Sequence, residues 1–495
     1  MKFTKHHKQY KPQAYLDFFD VNLKKDTPIF IDPWLIQRQA SLNDDVAIES
    51  LSVLQDFFQT LIKTVTKDKN ESLRLLDELH EPREYKIGYS QKNTDGLAIG
   101  QKHALQIYEK LAKSEAVKSG VLSRLEDTAL YIEGIDVDKI SDLVGNIIRK
   151  PLSDYTARQC KLLGIDLVEF GPTHIWDADS HRWIDDAVLK LPADHKTRPV
   201  ILIPKSFLST ELIINASDYY THGILPFYQK KYLKAGHKLC KVLVSGKRKG
   251  ELKEPSKEDL KKELPYSKED IFDFSLAHPD EIKKYRNGRS PEKSRVNGKP
   301  TKKADINKLI RSVTGIDSTD DIDIQSKLNE IEPGKKDAYK YEDLISGLLT
   351  YIFDNELKNP IKQDPIDEGT RRVDITMTNL SKDGFFNDCS KLGIITRFIY
   401  FELKNYTEDV ANAEIDQLYG RFGNNTTKFG VIVCRKVKNR NLLIKRIKDQ
   451  IIKKAEYMIC LTDHDICELH KMRKSENIEG IREHMNSLLD EFIPK

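Results

Sequence analysis

The chain lacks long apolar segments. It contains no run of the roughly 18 or more apolar residues that a membrane-spanning helix needs. Its first residues, Met1 to Lys8, include lysines and histidines and lack the apolar core of a secretory signal peptide. We therefore expect a soluble, cytoplasmic protein that makes no membrane contact.

Cysteine pairs are also missing. The six cysteines are scattered without any Cys-x-x-Cys spacing, and cytosolic thiols stay reduced. Cys460, His464, Cys467 and His470 fall close together, which leaves a zinc site open as a minor alternative. Because Cys460 lies in an apolar, strand-like run and Cys467 lies between apolar residues of a helix, we favour buried thiols that only fill space.

Neither a strong net charge nor a nucleotide-binding loop is present. The 81 lysines and arginines nearly balance the 77 aspartates and glutamates, which leaves a formal charge of +4. Any binding of nucleic acid must therefore use local basic patches. No Walker A motif occurs, so an ATP requirement would have to come from a partner protein.

Length and local composition predict three regions. A chain of 495 residues should hold two or three domains. Residues 1–245 indicate a mixed α/β domain for recognition, regulation or assembly. Residues 246–335 are dense in lysine and glutamate and predict a charged, partly helical linker, in which the basic segment 283–303 is equally explained as solvated chain or as a phosphate-binding arm. Residues 336–495 alternate strand and helix, which predicts an α/β domain.

Several elements of the first region have recognisable boundaries. A short strand should end at Asp32, and residues 44–65 should form an amphipathic helix. Pro151 should end one helix, and residues 153–163 should form the next, with Gly164 as its C-cap. Residues 198–205 read as a buried strand between prolines.

Polar residues of the first region show no spacing that a particular chemistry demands. His174, Asp177, Asp179 and His181 surround two tryptophans, and we expect a surface loop there in preference to a metal site. The other polar residues near apolar runs are Asp32, Glu133, Asp136, Asp138 and Lys205. Asp32 precedes a proline, so we expect it to form a turn.

The strongest chemical signal is the run Phe398–Tyr406. Its aromatic and β-branched residues predict a buried strand, and alternation along a strand places Glu402 and Lys404 on one side. Glu-Leu-Lys occurs three times in the chain, but only this copy lies in a strand-like apolar run. A carboxylate and an ammonium at the end of such a strand form either a salt bridge or part of a metal-dependent nuclease site.

A neighbouring strand supplies a second acid. Residues 371–378 alternate strictly, with Val373 and Ile375 on one face and Asp374 on the other. Mg²⁺ typically takes one or two carboxylates together with water and phosphate oxygens. Asp374 and Glu402 together therefore satisfy that requirement.

Two predicted helices add further polar groups. Residues 341–353 form an amphipathic pattern with Glu342 near the start. Residues 412–422 form another, in which Gln417 and Arg421 lie one turn apart on the same face.

The order of these groups is helix, strand, strand, helix. The residues that carry it are Glu342, Asp374, Glu402-Leu403-Lys404 and Gln417. In this order the segment of roughly residues 336–495 resembles the PD-(D/E)XK nuclease superfamily. The resemblance implies the restriction-endonuclease-like fold, a mixed sheet flanked by helices. Val373 stands where the name of the superfamily has proline. Residues 1–245 resemble no family that we recognise.

The resemblance implies a Mg²⁺-dependent endonuclease, with Mn²⁺ able to substitute. The implied metal ligands are Asp374, Glu402 and the backbone carbonyl of Leu403. Lys404 would orient or help to deprotonate the attacking water and offset phosphate charge. Glu342 would complete the acidic site, directly or through water, and Gln417 would steady the site or contact the phosphate backbone. The residues expected to contact nucleic acid are Arg372, Tyr406 and Arg421.

The resemblance also implies partners and a biological setting. We expect DNA as the substrate, with RNA or tRNA as the alternative, and a role as a prokaryotic defence or restriction-type effector. Cutting both strands favours a homodimer or higher oligomer, and a partner protein would gate the activity. Two other functions remain open: a catalytically idle fold that binds nucleic acid, and a sensor whose function lies in residues 1–245.

Overall fold

The structure is a computed structural model. It describes residues 1–9, 11–79, 82–88, 99–114, 117, 127–132, 137–210, 212, 214–243, 250–264, 266–288, 323–366, 371–406 and 408–494. In this part of the chain, no helix combines the length and the apolar character that crossing a membrane requires.

Twenty α-helices and eleven strands are described. The helices are α1 (Phe3–His6), α2 (Pro33–Ala40), α3 (Asp45–Val65), α4 (Lys69–Asp77), α5 (Ile99–Lys113), α6 (Thr128–Tyr131), α7 (Val137–Ile147), α8 (Arg149–Leu163), α9 (Ala216–Tyr219), α10 (Leu225–Ala235), α11 (Lys257–Glu263), α12 (Lys268–Ala277), α13 (Pro279–Gly288), α14 (Ile324–Asn329), α15 (Ala338–Ile352), α16 (Phe385–Lys391), α17 (Asn412–Tyr419), α18 (Arg440–Lys454), α19 (Asp463–Lys474) and α20 (Ile478–Phe492). The strands are β1 (Phe30–Ile31), β2 (Val168–Asp177), β3 (Arg182–Leu191), β4 (Leu208–Ser209), β5 (Lys241–Val242), β6 (Leu252–Lys253), β7 (Leu357–Ile366), β8 (Arg371–Asn379), β9 (Phe398–Lys404), β10 (Phe429–Cys434) and β11 (Tyr457–Thr462).

The first hydrophobic core is mainly helical. The predicted amphipathic helix is α3, whose buried side includes Phe57, Phe58 and Leu61. Asp44 caps its N-terminus by accepting a hydrogen bond from the backbone N–H of Ala47. Asp32 caps α2 in the same way, which agrees with the expectation that it shapes a turn.

Two boundary predictions in this region are wrong, and a third is confirmed. α8 begins at Arg149, so Pro151 lies in its first turn, where the missing N–H would have no helical partner in any case. The C-cap is confirmed, because Gly164 adopts a φ of 66° there. Residues 200–205 are buried, but residues 198–205 form no continuous strand, since only Pro199 and Pro204 make isolated bridges.

A β-hairpin stands where a surface loop was predicted. β2 and β3 pair antiparallel, and Trp176 lies opposite Trp183. Both rings contact Phe57 of α3. The indole of Trp176 donates to the Asp56 carboxylate, and the indole of Trp183 donates to a backbone carbonyl of α4. These anchors hold the hairpin on the helical core.

The segment assigned to a linker contributes to both cores. α11 and α12 bury Leu260, Ile271 and Phe274 in the first core, whereas α14 buries Ile324 and Leu328 in the second. Most of the basic segment 283–303 lies outside the described residues, as do Glu133 and Asp136.

The second core surrounds a five-stranded mixed sheet with the order β11-β10-β9-β8-β7. β9, β10 and β11 run parallel, whereas β8 and β7 pair antiparallel. Helices α15, α18, α19 and α20 contact the sheet. The mixed α/β arrangement predicted for this region is therefore confirmed.

β7 was not predicted. The sequence around Glu356 and Lys358 reads as a helix end before Pro360, but the chain turns after α15 and enters an edge strand. Proline is tolerated at a sheet edge because one side of an edge strand needs no ladder hydrogen bonds.

Two polar side chains near the N-terminus contact helices of the second core, and one of them, Tyr15, is itself part of that core. Lys11 Nζ lies 2.6 Å from Asp343 Oδ1 on α15. The hydroxyl of Tyr15 is hydrogen-bonded to His470 Nε2 on α19 at 3.0 Å. The first region therefore contacts the same helix that carries Glu342.

Candidate active site

The sheet brings two predicted acids together at the end of β8 and β9. Ile375 pairs with Phe401 as the last register pair at this end. The next residues of the two strands in this direction are Asp374 and Glu402. Asp374 Oδ2 accepts a hydrogen bond from the backbone N–H of Leu403 at 2.8 Å, which ties the acid of one strand to the backbone of the other.

Glu402 lies between two cations. It is only 1% exposed, and its Oε1 accepts a hydrogen bond from Lys404 Nζ at 2.7 Å. Its other oxygen, Oε2, pairs with the guanidinium of Arg421. Burial raises the pKa of Glu402, the nearby Asp374 carboxylate raises it further, and the two cations oppose this effect.

Glu342 approaches the same site from α15. Lys362 Nζ on β7 lies 3.4 Å from Glu342 Oε2. Burial raises the pKa of Glu342, Lys362 lowers it, and the Asp374 carboxylate raises it. Glu342, Asp374, Glu402 and Lys404 therefore lie close enough to share one electrostatic environment, as the sequence predicts.

The remaining predicted residues lie differently. Gln417 is exposed on α17. Arg421 is buried against Glu402, so in this conformation it is a counter-ion within the site. Tyr406 is half-buried, and burial followed by the neighbouring Glu414 raises its pKa. Arg372 lies on β8, and its side chain falls outside the described residues.

Lys362 is a site residue that the sequence reading missed. It is buried, and its ammonium lies 4.1 Å from the centre of the Tyr339 ring and 3.4 Å from Glu342 Oε2. Because β7 itself was not predicted, nothing placed this lysine near Glu342. The proline-containing segment is compatible with an edge strand, and assigning it to one would have placed Lys362 in the sheet.

The acids of the site are of the type that holds a hard divalent cation, although Glu342, Asp374 and Glu402 do not have ligand oxygens that all lie within 4.8 Å of one another. The Asp374 carboxylate raises the pKa of both Glu402, on the adjacent strand, and Glu342, on α15, because like charges repel. Mg²⁺ relieves such repulsion and prefers oxygen ligands. Asp374, Glu402 and the carbonyl of Leu403 are the predicted set, but the oxygens of Glu402 are engaged by Lys404 and Arg421 here.

The alternative zinc grouping is not assembled. Cys460 Sγ lies 3.6 Å from Cys434 Sγ inside the sheet, and His470 is hydrogen-bonded to Tyr15. His464 is exposed. Among the described residues, the one group of three potential ligands with atoms within 4.8 Å of each other is Glu78, His174 and Asp185.

Comparison with known families matches only the first region. Residues 9–215 match the model of a family described as a domain of unknown function, DUF8370. No curated protein matches the chain. No solved structure matches it either. The matched range ends before the five-stranded sheet begins, so it leaves the candidate active site unassigned.

Proposed function

We propose that the protein is a metal-dependent nuclease of restriction-endonuclease-like fold that hydrolyses phosphodiester bonds of DNA. The observation that carries the proposal is the convergence of Asp374, Glu402 and Lys404 at one end of two adjacent strands, with Glu342 brought in by α15. Three acids beside several lysines and an arginine suit a site that holds a cation and a phosphate together.

Each residue has a distinct task in this proposal. Asp374 and Glu402, with the carbonyl of Leu403, hold Mg²⁺ or Mn²⁺. The bound ion supplies Lewis-acid activation of the phosphate and of the attacking water. Lys404 orients that water and offsets phosphate charge. Glu342 adds a third carboxylate to the acidic site, and Lys362 forms an ion pair with that carboxylate.

Arg421 has a different role from the direct nucleic-acid contact that the sequence predicts. Its guanidinium holds one oxygen of Glu402, and this contact lowers the pKa of that buried acid. We assign Arg421 to keeping Glu402 ionised. For Glu402 to hold a metal, Arg421 or Lys404 would have to release one of the Glu402 oxygens. The side chain that releases it would then be placed to contact the phosphate.

The first region is proposed to regulate the site. Lys11 is partly buried and donates hydrogen bonds to both the carboxylate and the backbone carbonyl of Asp343, the residue that follows Glu342. Movement of this segment would shift α15. This contact supports a gated effector of restriction or antiviral defence, acting as a homodimer or higher oligomer when both strands are cut.

The decisive experiment is a cleavage assay on plasmid, linear and single-stranded DNA and on total RNA. It compares Mg²⁺ with EDTA and the wild type with Glu402→Ala. Lys253→Ala is a matched control, because Lys253 belongs to a second Glu-Leu-Lys sequence on exposed strand β6. We expect metal-dependent cutting of DNA that Glu402→Ala loses and Lys253→Ala keeps.

If only RNA is cut, RNA and not DNA is the substrate. Binding without cutting, under all conditions and by both proteins, would point to the catalytically idle alternative. Cutting that is equally strong in EDTA and in Glu402→Ala would refute the proposed site.

A further inference from the structure

A second group of ligand-type side chains lies far from the candidate active site, on the hairpin of the first core. His174 Nδ1 on β2 is 3.1 Å from Glu78 Oε2, next to α4, and 3.2 Å from Asp185 Oδ1 on β3. Three separate elements therefore present one nitrogen and two carboxylate oxygens to each other.

Ordinary hydrogen bonding does not account for this arrangement fully. A neutral imidazole carries one proton, so Nδ1 can donate to only one of the two carboxylates. The oxygen of the second carboxylate then lies beside His174 Nδ1 with no proton between the two atoms. A cation at this point would satisfy all three atoms at once.

The spacing suits a small transition-metal ion. Ligands of tetrahedral zinc lie about 2.0–2.2 Å from the ion, which places them about 3.3 Å from one another. The two measured separations from His174 Nδ1 are 3.1 and 3.2 Å. All three ligand atoms lie within 4.8 Å of one another.

The hairpin is irregular at this point. Thr173 pairs with Ala187 and Ile175 pairs with Ile184, so the single residue His174 lies opposite two residues of β3. Such a bulge changes the direction of a side chain and is frequent beside functional sites. Here it brings His174 and Asp185 within contact distance across the hairpin.

The backbone under His174 is held rigidly. The buried Arg149 donates from Nη1 to the carbonyl oxygen of His174 at 2.7 Å, and from Nε to Glu84. Arg149, Glu84 and His174 also line a surface cavity. Asp185 is 74% exposed, so the outer side of the group is open to water or to a further ligand.

We propose that Glu78, His174 and Asp185 form a divalent transition-metal site that fastens the hairpin to α4. One imidazole with two carboxylates favours Zn²⁺ or Mn²⁺ over Mg²⁺, which prefers oxygen ligands alone. The site lies within the range that matches the domain of unknown function, and it does not depend on the nuclease proposal.

The test uses the full-length protein after EDTA treatment and removal of the chelator. Zn²⁺ is titrated by calorimetry in the presence of excess Mg²⁺, which competes for oxygen-only sites. The variants are His174→Ala and Glu78→Gln. His181→Ala is the matched control, because His181 is on the same hairpin but contacts a single carboxylate, that of Asp56.

We expect one Zn²⁺ per chain in the wild type and in His181→Ala. His174→Ala should weaken binding by more than about 100-fold, since loss of even an outer partner of a ligand costs about 10–100-fold. Glu78→Gln should weaken it while keeping the zinc-free melting temperature, which separates ligand loss from misfolding. Absence of zinc binding in the wild type, or unchanged binding in both variants, would overturn the proposal.

Discussion

Replacing Glu356 with glutamine should make the protein more stable above neutral pH. Glu356 lies between α15 and β7 and is only 5% exposed. Its Oε2 accepts a hydrogen bond from the backbone N–H of Phe386 at the start of α16. Burial raises the pKa of this carboxyl to about 7, opposed by those backbone contacts and reinforced by Asp388 and Asp383.

The sign of the pH effect follows from this raised pKa. The folded protein holds the Glu356 proton more tightly than the unfolded chain, whose carboxyl has a pKa of 4.5. Stability from this group is therefore complete below about pH 4.5 and is lost as the pH rises through about 7. The difference between a pKa of about 7 in the folded protein and 4.5 in the unfolded chain corresponds to about 3 kcal/mol in the free energy of unfolding.

Glutamine removes the titration but keeps an oxygen for the Phe386 N–H. We expect Glu356→Gln to match the wild type near pH 5 and to exceed its free energy of unfolding by up to about 3 kcal/mol near pH 8. Melting temperatures of both proteins across this range measure the difference, in which all other titrating groups cancel. Glu251→Gln is the control, because Glu251 is exposed.

A difference between Glu356→Gln and the wild type that does not change with pH would refute this reasoning. A variant that is less stable than the wild type near pH 8 would refute it as well, because the charged carboxylate would then be the better partner for the helix terminus.

Three further predictions concern the active site and the hydrogen bond between Tyr15 and His470. Lys404→Ala should abolish cleavage while leaving the melting temperature and nucleic-acid binding largely unchanged. Arg421→Ala should raise the pKa of Glu402, so the acidic limb of the pH–rate profile should move to higher pH. Tyr15→Phe should cost about 1 kcal/mol in the free energy of unfolding, because it removes the hydrogen bond to buried His470.

Each of these has a measurement that separates it from general damage. Cleavage by Lys404→Ala at the wild-type rate would remove that lysine from the mechanism. For Arg421→Ala, an unchanged pH profile with lower activity would indicate a purely structural role. For Tyr15→Phe, urea unfolding with no loss of stability would show that the hydrogen bond between Tyr15 and His470 contributes little to the free energy of unfolding.

Local sequence pattern was sufficient to predict several strands of the sheet and the positions of their acidic residues. The run that forms β9 is apolar, aromatic and β-branched, so its strand and the shared face of Glu402 and Lys404 follow from alternation alone. The amphipathic helix that carries Glu342 is likewise apparent from its period, and the structure confirms it as α15. These features depend only on neighbours a few residues apart.

Tertiary structure decided which charges meet. The pairing of Arg421 with Glu402, of Lys362 with Glu342 and of Lys11 with Asp343 joins residues from different elements, and no local period encodes such contacts. Tertiary structure also decided two local features against their sequence signals. The edge position admits prolines into β7, and packing on α3 turns an apparent surface loop into a hairpin. Sequence alone therefore determined which residues lie on one strand or helix face, whereas burial and long-range pairing determined their protonation and their partners, because these energies depend on groups that only the folded chain brings together.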